Sequence, residues 1–273
     1  MSALWLKRLA MLACGLAFAV PFGFMLSVSL QPEGRGLGRS ALDLLGEAHP
    51  ENYATAVRQM GDFPRLVFNT VLITVLSIAG QLFTCSLAGY AFARVPFRGR
   101  DALFALVLAT MMLPEQVSAI PRFLLFRTAG LVDTFAPLIL PTVLGGSPFF
   151  IFLFRQYFLA LPAELSEAAQ VDGASHLGIW WRIMLPLARP MLVTVAIFTF
   201  LATWNDFWTP LIYLLSPENR TLTLALAGFN RTYDTAVELM MAASAVVLAP
   251  CVLVYFVAQK VFLRGVQVAA SKG

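Results

Sequence analysis

The chain has 273 residues, of which 59% are hydrophobic and 12% charged, against about 25% charged in an ordinary soluble protein. That composition excludes a soluble globular domain. The net charge of +4 accompanies a pI near 9.2; its distribution along the chain marks membrane topology and calls for no nucleic-acid partner.

Six apolar spans are predicted, at 9–30, 66–93, 102–121, 135–158, 190–215 and 239–263. Runs of about 20 apolar residues match a hydrocarbon core about 30 Å thick, and lipid offers the backbone no hydrogen bonds, so each run is expected to be helical. The fold class is therefore an all-α integral membrane protein. In the first span Lys7-Arg8 precede the apolar run and Ala17-Phe18-Ala19 resembles a cleavage site. The run nevertheless continues through Pro21 to Leu30, longer than the 7–15 residues usual in a signal peptide, and a retained helix is expected. A loop at 31–65 follows, so that 1–65 forms one segment, 66–265 the membrane core and 266–273 a short tail. Glu115 interrupts the third span just after Pro114, where a helix is expected to kink or break, and Asn205-Asp206 interrupt the fifth. Cys14, Cys85 and Cys251 lie inside spans without metal spacing and read as small packing residues. Gly145-Gly146-Ser147 and Ala242-Ala243 read as close helix packing.

Orientation follows from Lys and Arg, which stay on the cytoplasmic side. With the N-terminus inside, the cytoplasmic segments hold eleven of the 19 basic residues, among them Arg94, Arg98, Arg100, Arg155 and Arg182, against four acids. Both termini, and the polar stretch 160–189, are then expected to face the cytoplasm.

That stretch contains EAAQVDGASHLGIWWRIMLPLARP. Pro162 suits a first helical position, and Glu164 and Glu167 suit the first turns of a helix, where the dipole favours carboxylates. Gly173 stands where a helix would end in a left-handed residue, and Ser175 is placed to cap the next helix, until Pro186 and Pro190 interrupt it. Leu165, Ala168 and Ala169 read as one face that another surface can approach closely. An amphipathic interfacial helix with Trp180-Trp181 in a headgroup belt does not demand Ala-Ala, then Gly at a set distance, then Ile-x-Leu-Pro. Seven fixed positions have a chance on the order of 10⁻⁸ per starting point at average residue frequencies.

The pattern resembles the signature of the permease subunits of binding-protein-dependent ABC importers: EAA, three residues, Gly, nine residues, Ile-x-Leu-Pro. Every position matches. Asn69-Thr70, Gly89-Tyr-Ala-Phe-Ala-Arg94, Phe97-Arg-Gly-Arg100, Met112-Leu-Pro114 and Trp204-Asn-Asp-Phe207 are similar to the carbohydrate-uptake branch, and within it to the smaller of two paired, maltose-type permeases. The resemblance implies a six-helix type I importer fold in a bacterial-type inner membrane. It also implies a second homologous permease, a cytoplasmic ATPase dimer and an extracytoplasmic solute-binding protein as partners. The loop would be the coupling element that docks on the ATPase through Glu167, Ala168, Ala169, Asp172 and Gly173, anchored by Ile183, Leu185 and Pro186.

No G-x-x-x-x-G-K-[ST] segment occurs in the sequence, and the glycine-rich Gly34–Arg39 lacks its spacing. No cofactor is therefore expected on this chain; ATP would be bound by the partner subunit, and the chain itself would not be an enzyme. No metal site is expected either. Ionisable groups inside spans are functional candidates by default, which makes Glu115, Trp204, Asn205 and Asp206 candidates for a substrate path. Aromatics beside hydrogen-bonding groups suit a sugar. A second reading has Asp206 pairing with a helix end or a partner's Arg, and Glu115 in gating or packing. A self-sufficient secondary transporter or channel, using Glu115 and Asp206 as an ion relay, is the alternative function.

Overall fold

The computed structural model describes residues 2–32, 48–232 and 236–270, with side chains described for these other than 2–4, 115, 229–232 and 260–270. Residues 33–47 of loop 31–65, with the stretch Gly34–Arg39, the Glu115 side chain and the end of the tail lie outside the described residues. Among those described, every regular element is helical: α1 (Ser2–Ser29), α2 (Glu51–Gln59), α3 (Phe63–Arg94), α4 (Arg100–Ala109), α5 (Glu115–Thr128), α6 (Ala136–Leu144), α7 (Pro148–Ala160), α8 (Glu164–Val171), α9 (His176–Ile179), α10 (Leu185–Leu187), α11 (Arg189–Trp204), α12 (Trp208–Tyr213), α13 (Leu222–Thr232) and α14 (Val237–Ala270).

Four stretches are long and apolar enough to cross a bilayer unaided: Trp5–Ser29, Phe63–Arg94, Ala136–Ala160 and Val237–Gln259. They correspond to the first, second, fourth and sixth expected spans. The third and fifth depart from straight crossings. The third passes from α4 through a 3₁₀ turn at Thr110–Met112 to extended Leu113 and Pro114, and the chain then turns through 103° into α5. Pro114 has no N–H for the ladder, and its ring disfavours helical conformation at Leu113. The fifth, expected at 190–215, stops at Trp204. A second helical stretch, His176–Leu187, meets Arg189–Trp204 at 81°. Counting each bent pair as one span brings the total to six.

The residues fall into two compact units. In the first, residues 1–66 with 222–252, Asn52 ties α2 to the end of α1 by donating to the carbonyls of Ser29 (3.0 Å) and Gln31 (2.7 Å). The Ser29 and Tyr53 hydroxyls meet at 2.8 Å. Ala242 and Ala243 are fully buried on α14, as expected of a small-residue packing face.

The second unit, 67–221 with 253–273, is built on the close approach of α3 to α6 and α7. A Cβ added at Gly89 would stand 2.5 Å from the Phe154 Cβ and 3.0 Å from the Arg155 nitrogen, and one added at Gly80 would stand 2.6 Å from a Val143 methyl. Gly146, between α6 and α7, approaches the Cys85 sulfur in the same way. Around these contacts Cys85, Tyr90, Ile151, Phe154, Phe158 and Trp180 form a buried core. Arg155 fastens the neighbouring turn: its guanidinium lies 4.2 Å from the centre of the Phe104 ring and 3.8 Å from Asp101, and its Nε donates to the Phe92 carbonyl at 3.4 Å.

Because the atoms facing Gly89 include backbone, Gly89→Ala is expected to overpack the α3–α7 contact and lower stability by about 1–3 kcal/mol. Gly15→Ala, whose added Cβ meets nothing within 4 Å, is the matched control. Thermal unfolding of both variants in detergent measures the difference.

Candidate functional site

The loop between α7 and α11 is held by local backbone chemistry. Helix α8 begins at Glu164, two residues after Pro162, which therefore precedes the helix and does not open it. Its far end is a Schellman closure. Gly173 sits at φ +80° and donates to the Gln170 carbonyl at 3.0 Å, while Ala174 donates to that of Ala169 at 2.9 Å. Ser175 then caps α9, accepting from the Gly178 N–H at 3.2 Å. Trp180–Met184 form a π-turn, a wider winding placed where Pro186 removes an N–H and crowds the Arg182 carbonyl. The helical path carries on through Pro186 and breaks at Ala188, so Pro190 opens α11.

Helix α8 has two faces, and they divide the signature. Ser166 and Ala169 are buried, Ala169 within the core that also contains Tyr90, Phe158, Ile179 and Met184. Glu164, Leu165, Glu167, Ala168 and Asp172 are exposed, and Val171 is 88% exposed. Ala168 and Ala169 thus differ in what they meet, contrary to a single small-residue face: adjacent helical residues are about 100° apart, and here the boundary between core and outside falls between them. Ile183 and Leu185 pack against the core, while Pro186 is exposed.

Two residues of α3 grip this loop. The Arg94 guanidinium donates to the carbonyls of Phe158 (2.7 Å) and Leu161, closing the end of α7. The Tyr90 hydroxyl lies 3.5 Å from Nδ1 of His176. Sequence reading took Arg94 for a topology charge and part of a family motif, and missed this grip because its partners are carbonyls more than sixty residues away.

The substrate-path candidates do not all converge. Trp204 is buried and stacked on Phe200, with ring centres 5.3 Å apart. Asn205 donates to the Leu201 carbonyl at 2.8 Å, and Asp206 accepts from the Thr209 N–H at 3.1 Å. Asp206 therefore finishes the start of α12, the helix-end reading. Glu115 is the first residue of α5.

A residue that sequence reading passed over, Asp133, organises the loop 214–220. It adopts φ +63° and accepts from the backbone N–H groups of Leu215 and Ser216, both at 2.9 Å, from the Ser216 hydroxyl and from Asn219 at 3.2 Å. Its own N–H donates to the Tyr213 carbonyl at 2.8 Å. These donors, the Ser216 hydroxyl first, hold its carboxyl down at about 2. Asn69 pins the same loop by donating to the carbonyls of Glu218 (2.8 Å) and Arg220 (3.0 Å). An Asp flanked by apolar segments is the one local signal of this role.

Residues 85–268 match the family of binding-protein-dependent transport system inner membrane components. The chain belongs to this family. The permease is 37% identical to the arabinooligosaccharides transport system permease AraQ of Halalkalibacterium halodurans, over 75% of this chain and 73% of that one. It is 33% identical to the lactose transport system permease LacG of Rhizobium radiobacter, over 81% and 80%. With the melibiose/raffinose/stachyose import permease MelC of Bacillus subtilis it shares 31%, over 97% and 94%. A chain of a bacterial ABC transporter that imports the acidic polysaccharide alginate superposes with a TM-score of 0.79 at 26% identity, covering 93% of this chain and 94% of that one. The permease thus has the type I importer fold.

Nothing crowds Gly173, so its requirement is for backbone conformation. Gly173→Asn, which tolerates the left-handed region, is expected to keep the permease assembled and active. Gly173→Val is expected to cost about 1–2 kcal/mol locally and to raise proteolysis of the loop.

The Asp133 clasp carries a pH signature. Its folded pKa lies below the ordinary Asp value of about 3.9, so its stabilisation is complete above that pH and is lost as pH falls toward about 2. Wild type is expected to unfold at a higher temperature than Asp133→Asn at neutral pH, with the gap narrowing below about pH 4.

Proposed function

We propose that the permease forms half of the translocation path of an ATP-driven importer for a sugar or related polyol. The other half is a second homologous permease. ATP is bound and hydrolysed by a cytoplasmic ATPase dimer, and cargo is delivered by an extracytoplasmic solute-binding protein. The setting is a bacterial-type inner membrane, with both termini and the loop 160–189 in the cytoplasm. The observation that carries the coupling role is the two-faced α8: one side is built into the core, and the other presents Glu167, Ala168, Val171 and Asp172 outward. A small residue flanked by two carboxylates and an exposed Val is a surface for a basic, partly apolar cleft.

The relatives support the cargo class: they are named for arabinooligosaccharides, lactose, and melibiose, raffinose and stachyose. A structure of the alginate transporter with a periplasmic protein bound to alginate pentasaccharide shares the fold at a TM-score of 0.64. The family match favours the importer over an ion relay; the Asp206 carboxylate accepts from the Thr209 N–H.

In vesicles containing the permease with its partner subunits, Glu167→Lys is expected to leave insertion intact and to lower sugar uptake per ATP hydrolysed at least about tenfold, as reversing one charge of a buried interfacial pair does. Uptake at the wild-type rate would remove the coupling assignment.

A further inference from the structure

Helix α3 is held at both ends by the same device. Near its start Asn69, itself buried, donates two hydrogen bonds to carbonyls of the loop 214–220. At its last residue Arg94 donates two to the carbonyls of Phe158 and Leu161, at the entry to α8. One turn earlier Tyr90 meets His176, just beyond the exit of α8. The C-terminal end of α3 therefore holds both flanks of the loop whose outer face is proposed to meet the ATPase. Asn69 and Arg94 are twenty-five residues apart in one helix, about 38 Å at 1.5 Å per residue.

A helix transmits a displacement along its length only if it cannot bend or slip. Between the two grips α3 has no proline. It buries a continuous stripe that includes Ile73, Ser77, Gln81 and Cys85. Its glycines bring its backbone against α6 and α7 with no space for a methyl group. Interfaces packed this tightly move as units and do not deform gradually.

We infer that α3 is a tie rod between the loop 214–220 and the loop around α8, and that Asn69, Arg94 and Tyr90 are its positioning residues. Displacement of the 214–220 loop pulls on Asn69, and α3 delivers it to the carbonyls that fix the entry of α8. Such a link is reciprocal, so a load on α8 reaches 214–220 by the same route. The meaning of this link for transport rests on the coupling role proposed above; the mechanical link itself does not.

Hydrogen–deuterium exchange on the permease assembled with its partner subunits in lipid nanodiscs tests the rod without using transport as a readout. Asn69→Ala is expected to raise exchange in 214–221 about fivefold, the loss of roughly one net hydrogen bond, and to raise it about twofold or more in 161–176. Arg94→Met is expected to affect both segments in the reverse order. Tyr157→Phe removes a 3.0 Å bond from α7 to the Leu187 carbonyl, one in which α3 makes no hydrogen bond, and is expected to leave 214–221 unchanged. Unaltered exchange at 161–176 in Asn69→Ala overturns the inference. So does a rise at 214–221 in Tyr157→Phe, which would mark general loosening. If Asn69→Ala does not assemble, Asn69→Ser, which also removes both amide donors, is measured in its place. A positive exchange result combined with normal uptake in Glu167→Lys would keep the rod and discard the coupling role.

Discussion

The constraint on which the structure depends is that lipid satisfies no backbone hydrogen bond. Within a helix the ladder meets that demand, so the difficult places are the ends, where four N–H and four C=O groups lose their partners. Among the described residues this chain has many ends, because two helix pairs that together could each make one span are sharply bent. Several ends are finished by named devices: Arg94 on carbonyls at the end of α7, Asn69 on those of 218 and 220, Asp133 on the N–H groups of 215 and 216, Asp206 on that of 209, and the Schellman closure at Gly173. Several of the charged and amide side chains that composition makes scarce are thus spent on backbone.

That use explains which parts were legible in sequence. The end of α8 at Gly173, the cap at Ser175 and the break at Pro114 are chemistry written within four residues, and reading them in order suffices. The spacing EAA, Gly, Ile-x-Leu-Pro is legible for the same reason. Asp133, Asn69 and Arg94 act across 82, 149 and 64 residues respectively, and nothing beside them names their partners. Asp206 is the converse case, in which sequence left two readings side by side. Its position inside an apolar stretch invites a functional reading, yet its partner is three residues away, and only the stop of α11 at Trp204 reveals that it starts a new helix.

The division of α8 changes what the signature means. Ala169 is small because it lies in a core with Phe158, Trp180 and Met184, and its carbonyl accepts the closing bond from Ala174. Ala168 is small on the outside. One dipeptide therefore meets two unrelated requirements, internal packing and external approach, joined only because a helix places neighbours 100° apart. Gly173 belongs to the internal set: its surroundings are open, and its value lies in a backbone angle.

It follows that the loop is rigid where it meets the membrane domain and variable only in what it displays. Changing Glu167, Val171 or Asp172 alters a surface without disturbing any contact that shapes α8, so a partner can be re-matched by changing these positions alone. Changing Ala169 or Arg94 alters the attitude of the whole helix, and every outward residue moves with it. Helix α8 is seated by its inner face, closed by glycine and gripped at both flanks from α3, so a load on its outer face is expected to pass to the core. In the proposed coupling role, the stiffness of this attachment matters as much as the residues α8 presents.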